Sequence, residues 1–506
     1  MKSFPAIYDF TVLPYALGDV LTWNVKMMIK AKENSLEKIK IHILLDENCP
    51  QFVHQRKYIN GSNCWEFFND LFPAFQTNPM FDSLEILTSR EKLLGKIKSL
   101  KKESQSEGVI AYLEEHEFIV ENCDNILTIN SYFNKYISTH SDLNKFQEDH
   151  NYLPTLESKE SFKSAVQKTK DQIGNYIFIA VNFRLRAFDE TSDPAMLDRD
   201  SKLDVWLDFF GQSEATHPKV KFVLLGRIQE KPIQLLNLTN VFLPRAIGQT
   251  LGHELAWLET SLAFMGSSSG FAAMANFIHT PYIITRMNPN AYNNYQIPEG
   301  SDRLPFAVEN QVLVEGIETV NVLENYLSNV LKGVNTNDFS VKNSDIELNK
   351  YQESMYQKLK DSNQNLTVTL DTIKELIESK KFYEAEKKLN AKLFKTLTSD
   401  EQIGYFHFYL SYIQYYKNEF VEAKASVVRS ISRIKTDDPD IVKLRKKINS
   451  QLLLDNLNRF EMRNLDIEDD FQGIELMKSK IYNEIDLHEE ANHSYQIHKN
   501  LNTDKP

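Results

Sequence analysis

The sequence predicts an α/β protein made of two Rossmann-like halves followed by an all-helical region. Three observations carry that expectation. Short apolar runs suited to buried strands alternate with helix-period segments, first over residues 6 to 45 and again from 176 to 285. Each of these stretches holds one glycine-bearing turn between a strand and a helix, the place where open α/β sheets bind ligands. After Gly333 the composition shifts to charged, helix-forming sequence that repeats itself.

Size and charge bound the problem. A chain of 506 residues is too long for a single core. Its apolar fraction of 42% and aromatic fraction of 11% are ordinary for a soluble protein, and no apolar run approaches the ~20 residues of a membrane span. Met1 to Pro5 lacks the long apolar segment of a signal peptide, so a cytoplasmic location is expected. The net charge of −12 argues against a general nucleic-acid binder. Cys49, Cys64 and Cys123 form no CxxC pair and join no histidine at ligand spacing, so neither a disulfide framework nor a zinc site is expected.

The first half, residues 1–174, opens with a strand over residues 6 to 13, Ala-Ile-Tyr-Asp-Phe-Thr-Val-Leu. A turn containing Gly18 leads into a helix through Lys32, on which Val25, Met28 and Ile29 share a face. Lys40 to Leu45 supplies the next strand, completing a βαβ unit. Asp19 falls at the helix start, where the dipole favours a carboxylate. It serves there either as a first-turn residue or in chemistry. Further on, Leu84–Leu87 and Asn125–Ile129 are short strand candidates.

The second half, residues 175–335, begins with the strand Tyr176 to Asn182, which runs into Arg184 and Arg186. Two guanidinium groups at alternating positions suit bidentate contact with phosphate or carboxylate, or equally a salt-bridged surface pair. A helix at 204–210, strands at 221–225 and 240–243, and a helix at 254–260 follow. Gly226, Arg227 and Glu254 stand where a nucleoside could lie, though each has an equally good structural use. Leu262 to Met265 is a strand, Gly266-Ser267-Ser268-Ser269-Gly270 the turn, and a small-residue helix from about Phe271 is ended by Pro281 before the strand at Tyr282 to Thr285. The glycines allow a tight turn and Ser269 a cap, while the first amides of the helix lack intrahelical partners. Such amides bind anions. Val320 to Leu331 is a closing helix.

Residues 336–365 read as linker, 366–450 as helical repeats and 451–506 as a charged helical tail. Lys381-Phe-Tyr-Glu-Ala385 matches Glu419-Phe-Val-Glu-Ala423, with Phe382 and Phe420 standing 38 residues apart, near the ~34 of tetratricopeptide repeats. Tyr405, Phe408, Tyr409, Tyr412 and Tyr416 between them recur at helical spacing, which suits packing between antiparallel helices; a groove for a protein partner is the functional alternative.

Two residue groups resemble a known family. Tyr15-Ala-Leu-Gly18-Asp19-Val20-Leu21 is similar to the glycine-aspartate turn of bacterial heptosyltransferase-type glycosyltransferases, and Met265 to Gly270 with Thr280-Pro281-Tyr282 is similar to the donor-diphosphate turn of several families of the two-domain GT-B architecture. Asn182-Phe-Arg-Leu-Arg186 loosely resembles the arginine-bearing strand end of fucosyltransferase-like enzymes and stands where the heptosyltransferases have a lysine-rich motif. The resemblance implies a GT-B fold and an inverting glycosyltransferase with Asp19 as general base. By the same resemblance Gly18, Arg184, Arg186, Gly226, Arg227, Glu254, Ser267, Ser268, Ser269 and Gly270 form the donor site.

The substrates implied are a nucleotide-diphosphate sugar and a glycan or protein acceptor, with no cofactor. The chain has no DxD-type motif in a convincing context, so a metal-independent reaction is expected. A sugar-nucleotide epimerase or hydrolase on the same architecture, and a non-catalytic scaffold built on the repeats, are the competing readings.

Overall fold

The computed structural model describes residues 2–46, 59, 61, 63–123, 125–185, 200–227, 231, 234–235, 238–287, 289–339, 357, 370–390, 393–394, 397, 399–434 and 438–463. The chain divides into two compact units, one α/β and one helical.

In the α/β unit the first lobe runs β1 (Phe4–Asp9), α1 (Leu17–Glu33), β2 (Ile39–Leu44), α2 (Cys64–Phe75) and β3 (Phe81–Leu87), with the three strands parallel in the order β1-β2-β3. All six residues of β1 are buried, which is why it reads as a nearly unbroken apolar run. Among the described residues β1 is the edge of this sheet, and its Ile7 amide donates to the Tyr112 hydroxyl at 2.9 Å.

That tyrosine belongs to a helical layer: α3 (Arg90–Glu103), α4 (Glu107–Glu121), α5 (Ile126–Phe133), a π turn over Asn134–Ser138, and α6 (Ser141–His150). The expected strand at Asn125–Ile129 is therefore helix. Asn125 caps it, its side chain accepting from the amides of Leu127 and Thr128, and burial falls on Ile129 and Tyr132 at helical spacing while Leu127 is exposed.

The second lobe runs α7 (Glu160–Ile173), β4 (Ile177–Asn182), α8 (Leu203–Thr216), β5 (Val220–Leu224), β6 (Val241–Phe242), α9 (Leu251–Thr260), β7 (Ala263–Ser267), α10 (Gly270–Asn276), β8 (Tyr282–Met287), α11 (Pro289–Tyr295), β9 (Gln311–Glu315) and α12 (Val320–Leu331). Its six strands are parallel in the order β6-β5-β4-β7-β8-β9. That is the doubly wound order of a Rossmann sheet, with the chain reversing its direction of travel across the sheet between β4 and β7.

The fold class is thus α/β with helices following, as the alternation implies. Several boundaries of the sequence reading change: β1 ends at Asp9 and does not run to Leu13, and β6 is only Val241–Phe242. β7 continues through Gly266 and Ser267, so the turn proper is only Ser268 and Ser269, and α10 ends at Asn276, well before Pro281.

The two lobes meet along α1 and α10. Further ties are a chain crossing at Leu156, whose amide donates to the Phe277 carbonyl at 2.9 Å, and His140, stacked on Tyr295 at 4.0 Å.

The helical unit contains α13 (Leu370–Glu378), α14 (Phe382–Lys388), α15 (Asp400–Tyr416), α16 (Phe420–Arg433) and α17 (Pro439–Arg463). The repeat visible in the sequence is also a repeat of backbone. Lys380 (φ 57°) and Asn418 (φ 63°) take the left-handed conformation at equivalent turns. Lys381 donates to the Leu376 carbonyl at 2.8 Å just as Glu419 donates to the Gln414 carbonyl at 2.9 Å. Phe382 stacks on Tyr416 at 4.7 Å, and Tyr405, Tyr409 and Tyr412 lie partly buried against a core of Phe408, Val427, Ile441 and Ile448. The aromatics hold helix to helix.

Candidate active site

The first turn is stiff before its helix begins. At the carboxyl end of β1, Asp9 is buried and accepts from the Thr11 amide at 2.8 Å and hydroxyl at 2.7 Å. Burial pushes its carboxyl pKa up to about 6, against the pull of the Thr11 hydrogen bonds. Phe10 stacks on Tyr15 at 4.0 Å, and Tyr8 donates its hydroxyl to the Pro14 carbonyl at 2.7 Å. The loop delivers the chain to α1, whose N-cap Ala16 offers no side-chain acceptor. Asp19 is the acidic residue of that first turn and is partly exposed. Its charge faces favourably toward the helix dipole.

The second turn is built on Gly266. A Cβ there would run into the carbonyl oxygen of Asn182, so β4 and β7 can approach at their carboxyl ends only because the residue is glycine. Beyond it the Ser267 side chain is fully buried, its hydroxyl accepting from the Arg184 amide at 2.9 Å. Ser267 therefore anchors the end of β4 and does not face an open site. Ser268 donates its amide to the Thr285 carbonyl at 3.0 Å, and the Ser269 hydroxyl caps α10 by accepting from the Ala272 amide at 3.4 Å. With Ala273 bonded to the Ser269 carbonyl, the amides of Ser269, Gly270 and Phe271 meet no acceptor among the described residues. At seven residues α10 is short, and any anion there needs further positive charge.

The two turns touch. A Cβ on Gly270 would lie 2.8 Å from the Leu17 Cβ and 3.1 Å from the Gly18 amide nitrogen, while one on Gly18 would lie 3.4 Å from both the Ala273 Cβ and the Gly270 Cα. The start of α1, with its carboxylate, is thereby held against the start of α10, with its unpaired amides.

Around this contact the predicted site residues fall into two groups. Arg184, at the end of β4, is mostly buried, with Nε 3.7 Å from an Asp200 carboxyl oxygen. With Ser268, Ser269, Gly270, Gly18 and Asp19 it stands at the carboxyl edge where the sheet reverses. Arg186 lies outside the described residues.

The other three stand apart from that contact. Glu254 is fully buried and accepts from the Gly226 amide at 2.7 Å and from Arg245 Nε at 2.8 Å. Burial raises its pKa while Arg245 opposes the rise. It is a strut that fixes Gly226, which needs its glycine because φ is +108°. Arg227 reaches across to the first lobe, pairing with Asp70 at 2.9 Å and lying over Phe67 at 5.5 Å. Sequence reading missed Lys231, whose Nζ would be 3.0 Å from a Cβ on Gly226. It also missed Arg286 at the end of β8.

Two cavities elsewhere, of about 580 Å³ beside Gly174–Phe178 and about 520 Å³ at the far ends of α1 and α10, are lined by none of the turn residues. Among the described residues no three His, Cys, Asp or Glu side chains group as metal ligands, and no helix is long and apolar enough to cross a membrane.

No protein-family model and no curated protein matches the sequence. Among solved structures the chain is similar to a family 9 glycosyl transferase from Veillonella parvula DSM 2008, at 13% identity over 71% of this chain and 99% of that one, with a TM-score of 0.37. It is similar to the E. coli ADP-heptose LPS heptosyltransferase II at 11% identity, over 65% of this chain and 99% of that one, with a TM-score of 0.39. The E. coli heptosyltransferase WaaC with ADP follows at 11%, 64%, 99% and 0.33. Likenesses this loose carry no weight for the reaction.

Proposed function

We propose that the chain is an inverting glycosyltransferase that moves a sugar from a nucleotide-diphosphate donor to a hydroxyl of a glycan or related acceptor. The observation that carries the reading is the contact of Gly18 with Gly270, which sets a carboxylate beside a turn of unpaired amides at the switch point of a doubly wound sheet. The resemblance of Tyr15–Leu21 to the heptosyltransferase turn supports it independently.

In this reading Asp19 takes the proton of the acceptor hydroxyl as its oxygen bonds to the anomeric carbon on the face opposite the leaving group. The bond from that carbon to the diphosphate oxygen breaks, and the electron pair leaves with the nucleotide diphosphate. The amides of Ser269, Gly270 and Phe271 and the Arg184 guanidinium receive the charge that develops there. Ser267 holds Arg184 in place, and Glu254 shapes the neighbouring Gly226 loop. The helical repeats are the proposed seat of a protein partner.

The test is a thermal-shift screen of nucleoside diphosphates followed by assay with the matching sugar donors. A diphosphate that binds the folded chain raises its melting temperature. Asp19→Asn is expected to bind that ligand as wild type does, with turnover lower by about 10²- to 10⁴-fold. Unchanged turnover removes Asp19 from the mechanism, and a wild-type chain that binds no diphosphate removes the reading.

A further inference from the structure

Arg286 occupies a place that no apolar strand would choose for it. It lies in β8 with φ at 60°, at a register slip between Ile284 and Met287. The left-handed conformation is unfavourable for a residue with a long side chain, and bulges of this kind re-aim side chains next to functional sites. Ser267 pairs with Thr285 across β7 and β8, and Ser268 bonds to the Thr285 carbonyl, so Arg286 is the next residue beyond the turn on the neighbouring strand.

Its surroundings fix it there. The side chain is 93% buried, and its Nε donates to Glu318 at 2.6 Å. Glu318 is fully buried and its other oxygen accepts from the Lys202 amide at 2.7 Å. One residue earlier the Ser201 amide donates to the Arg184 carbonyl at 2.8 Å, so the segment 200–202 joins the environments of the two arginines. Of the Arg286 guanidinium, Nη2 is buried with no hydrogen-bond partner among the described residues. A buried unpaired donor on a charged group is costly, and an anion is its natural complement.

We propose that Arg286 is a second diphosphate-binding residue of the donor site, flanking the Ser268–Gly270 turn on the side away from Arg184, with Nη2 donating to a phosphate oxygen. This rests on the diphosphate reading above and extends it. Glu318 acts as the positioning residue, holding Nε so that the remaining face of the guanidinium is presented in one orientation. Two arginines on opposite sides of the turn distinguish a diphosphate, which spans both, from a single phosphate, which reaches one.

The experiment compares inorganic pyrophosphate and orthophosphate by calorimetry with wild type, Arg184→Gln, Arg286→Lys and the double variant Arg286→Met/Glu318→Gln. The lysine keeps the charge beside Glu318 but lacks the second nitrogen, and the double variant removes both buried charges together, so that neither is left uncompensated. Wild type is expected to prefer pyrophosphate. Both Arg286 variants, still folded by circular dichroism, are expected to lose at least about tenfold in pyrophosphate affinity with little change for orthophosphate. If Arg184→Gln weakens pyrophosphate binding while both Arg286 variants bind as wild type does, the role of Arg286 is overturned and the diphosphate site stands. If wild type binds neither pyrophosphate nor any nucleoside diphosphate, both fall.

Discussion

The two glycine turns at the centre of the α/β unit solve the same geometric problem with opposite chemistry. Each passes from a parallel strand to a helix, but the first has an uncapped helix with its own acid in the first turn, and the second has a serine cap and no acid. In the first, Asp19 meets the positive end of the helix from within the chain. In the second, three amides are left without an acceptor among the described residues, and arginines stand at the neighbouring strand ends. A helix start can carry its own anion or leave room for one, and here one of each kind is pressed together.

The comparison is most strongly tested through charge buried beneath the first turn. Because the pKa of Asp9 is raised from 3.8 to about 6, the folded chain holds that proton more tightly than the unfolded one. Its contribution is most favourable below the unfolded pKa and is lost as pH rises through about 6, by on the order of 3 kcal/mol. Asp9→Asn keeps an oxygen for Thr11 and is expected to flatten the stability profile between about pH 4 and 6, read by urea unfolding. An unchanged profile would mean that the carboxyl is not buried as described.

Next in size is the contrast between glycines. Gly266→Ala forces a methyl onto the Asn182 carbonyl and is expected to cost about 1–3 kcal/mol. Gly18→Ala meets only ordinary contacts and, lying in a helix, should be neutral or stabilising by up to about 1 kcal/mol. Equal losses at the two sites would contradict the packing. The smallest effect concerns caps: Ser269→Ala is expected to cost about 1 kcal/mol, and Ala16→Ser to gain up to about the same, since only the second helix has a side-chain cap. Melting temperatures of the pair decide it.

The second lobe was the more legible of the two for a physical reason. Strands of a parallel sheet are buried on both faces, so β4, β7 and β8 stand out as apolar runs bounded by polar turns. Asn125–Ile129 is equally apolar, yet a five-residue run does not distinguish a strand from the start of an amphipathic helix when its first residue is a good cap. Gly18, Asp19, Ser269 and Gly270 are legible as helix-start residues because turn chemistry leaves a signature in residue type. Ser267 and Glu254 were assigned to ligand although their partners are Arg184 and the Gly226 amide, because hydrogen bonds to distant backbone leave none. Arg286 was missed for the same reason, its left-handed kink lacking a glycine and its carboxylate lying 32 residues further on.

One consequence follows from the close approach of Gly18 to Gly270. Atoms near a close contact between two bodies move least when one turns against the other, so an opening of the lobes about α1 and α10 would displace this spot less than their rims. Asp19 and the amides of Ser269 to Phe271 would then lie close to the fulcrum and hold their spacing, leaving the wide swings to the rims.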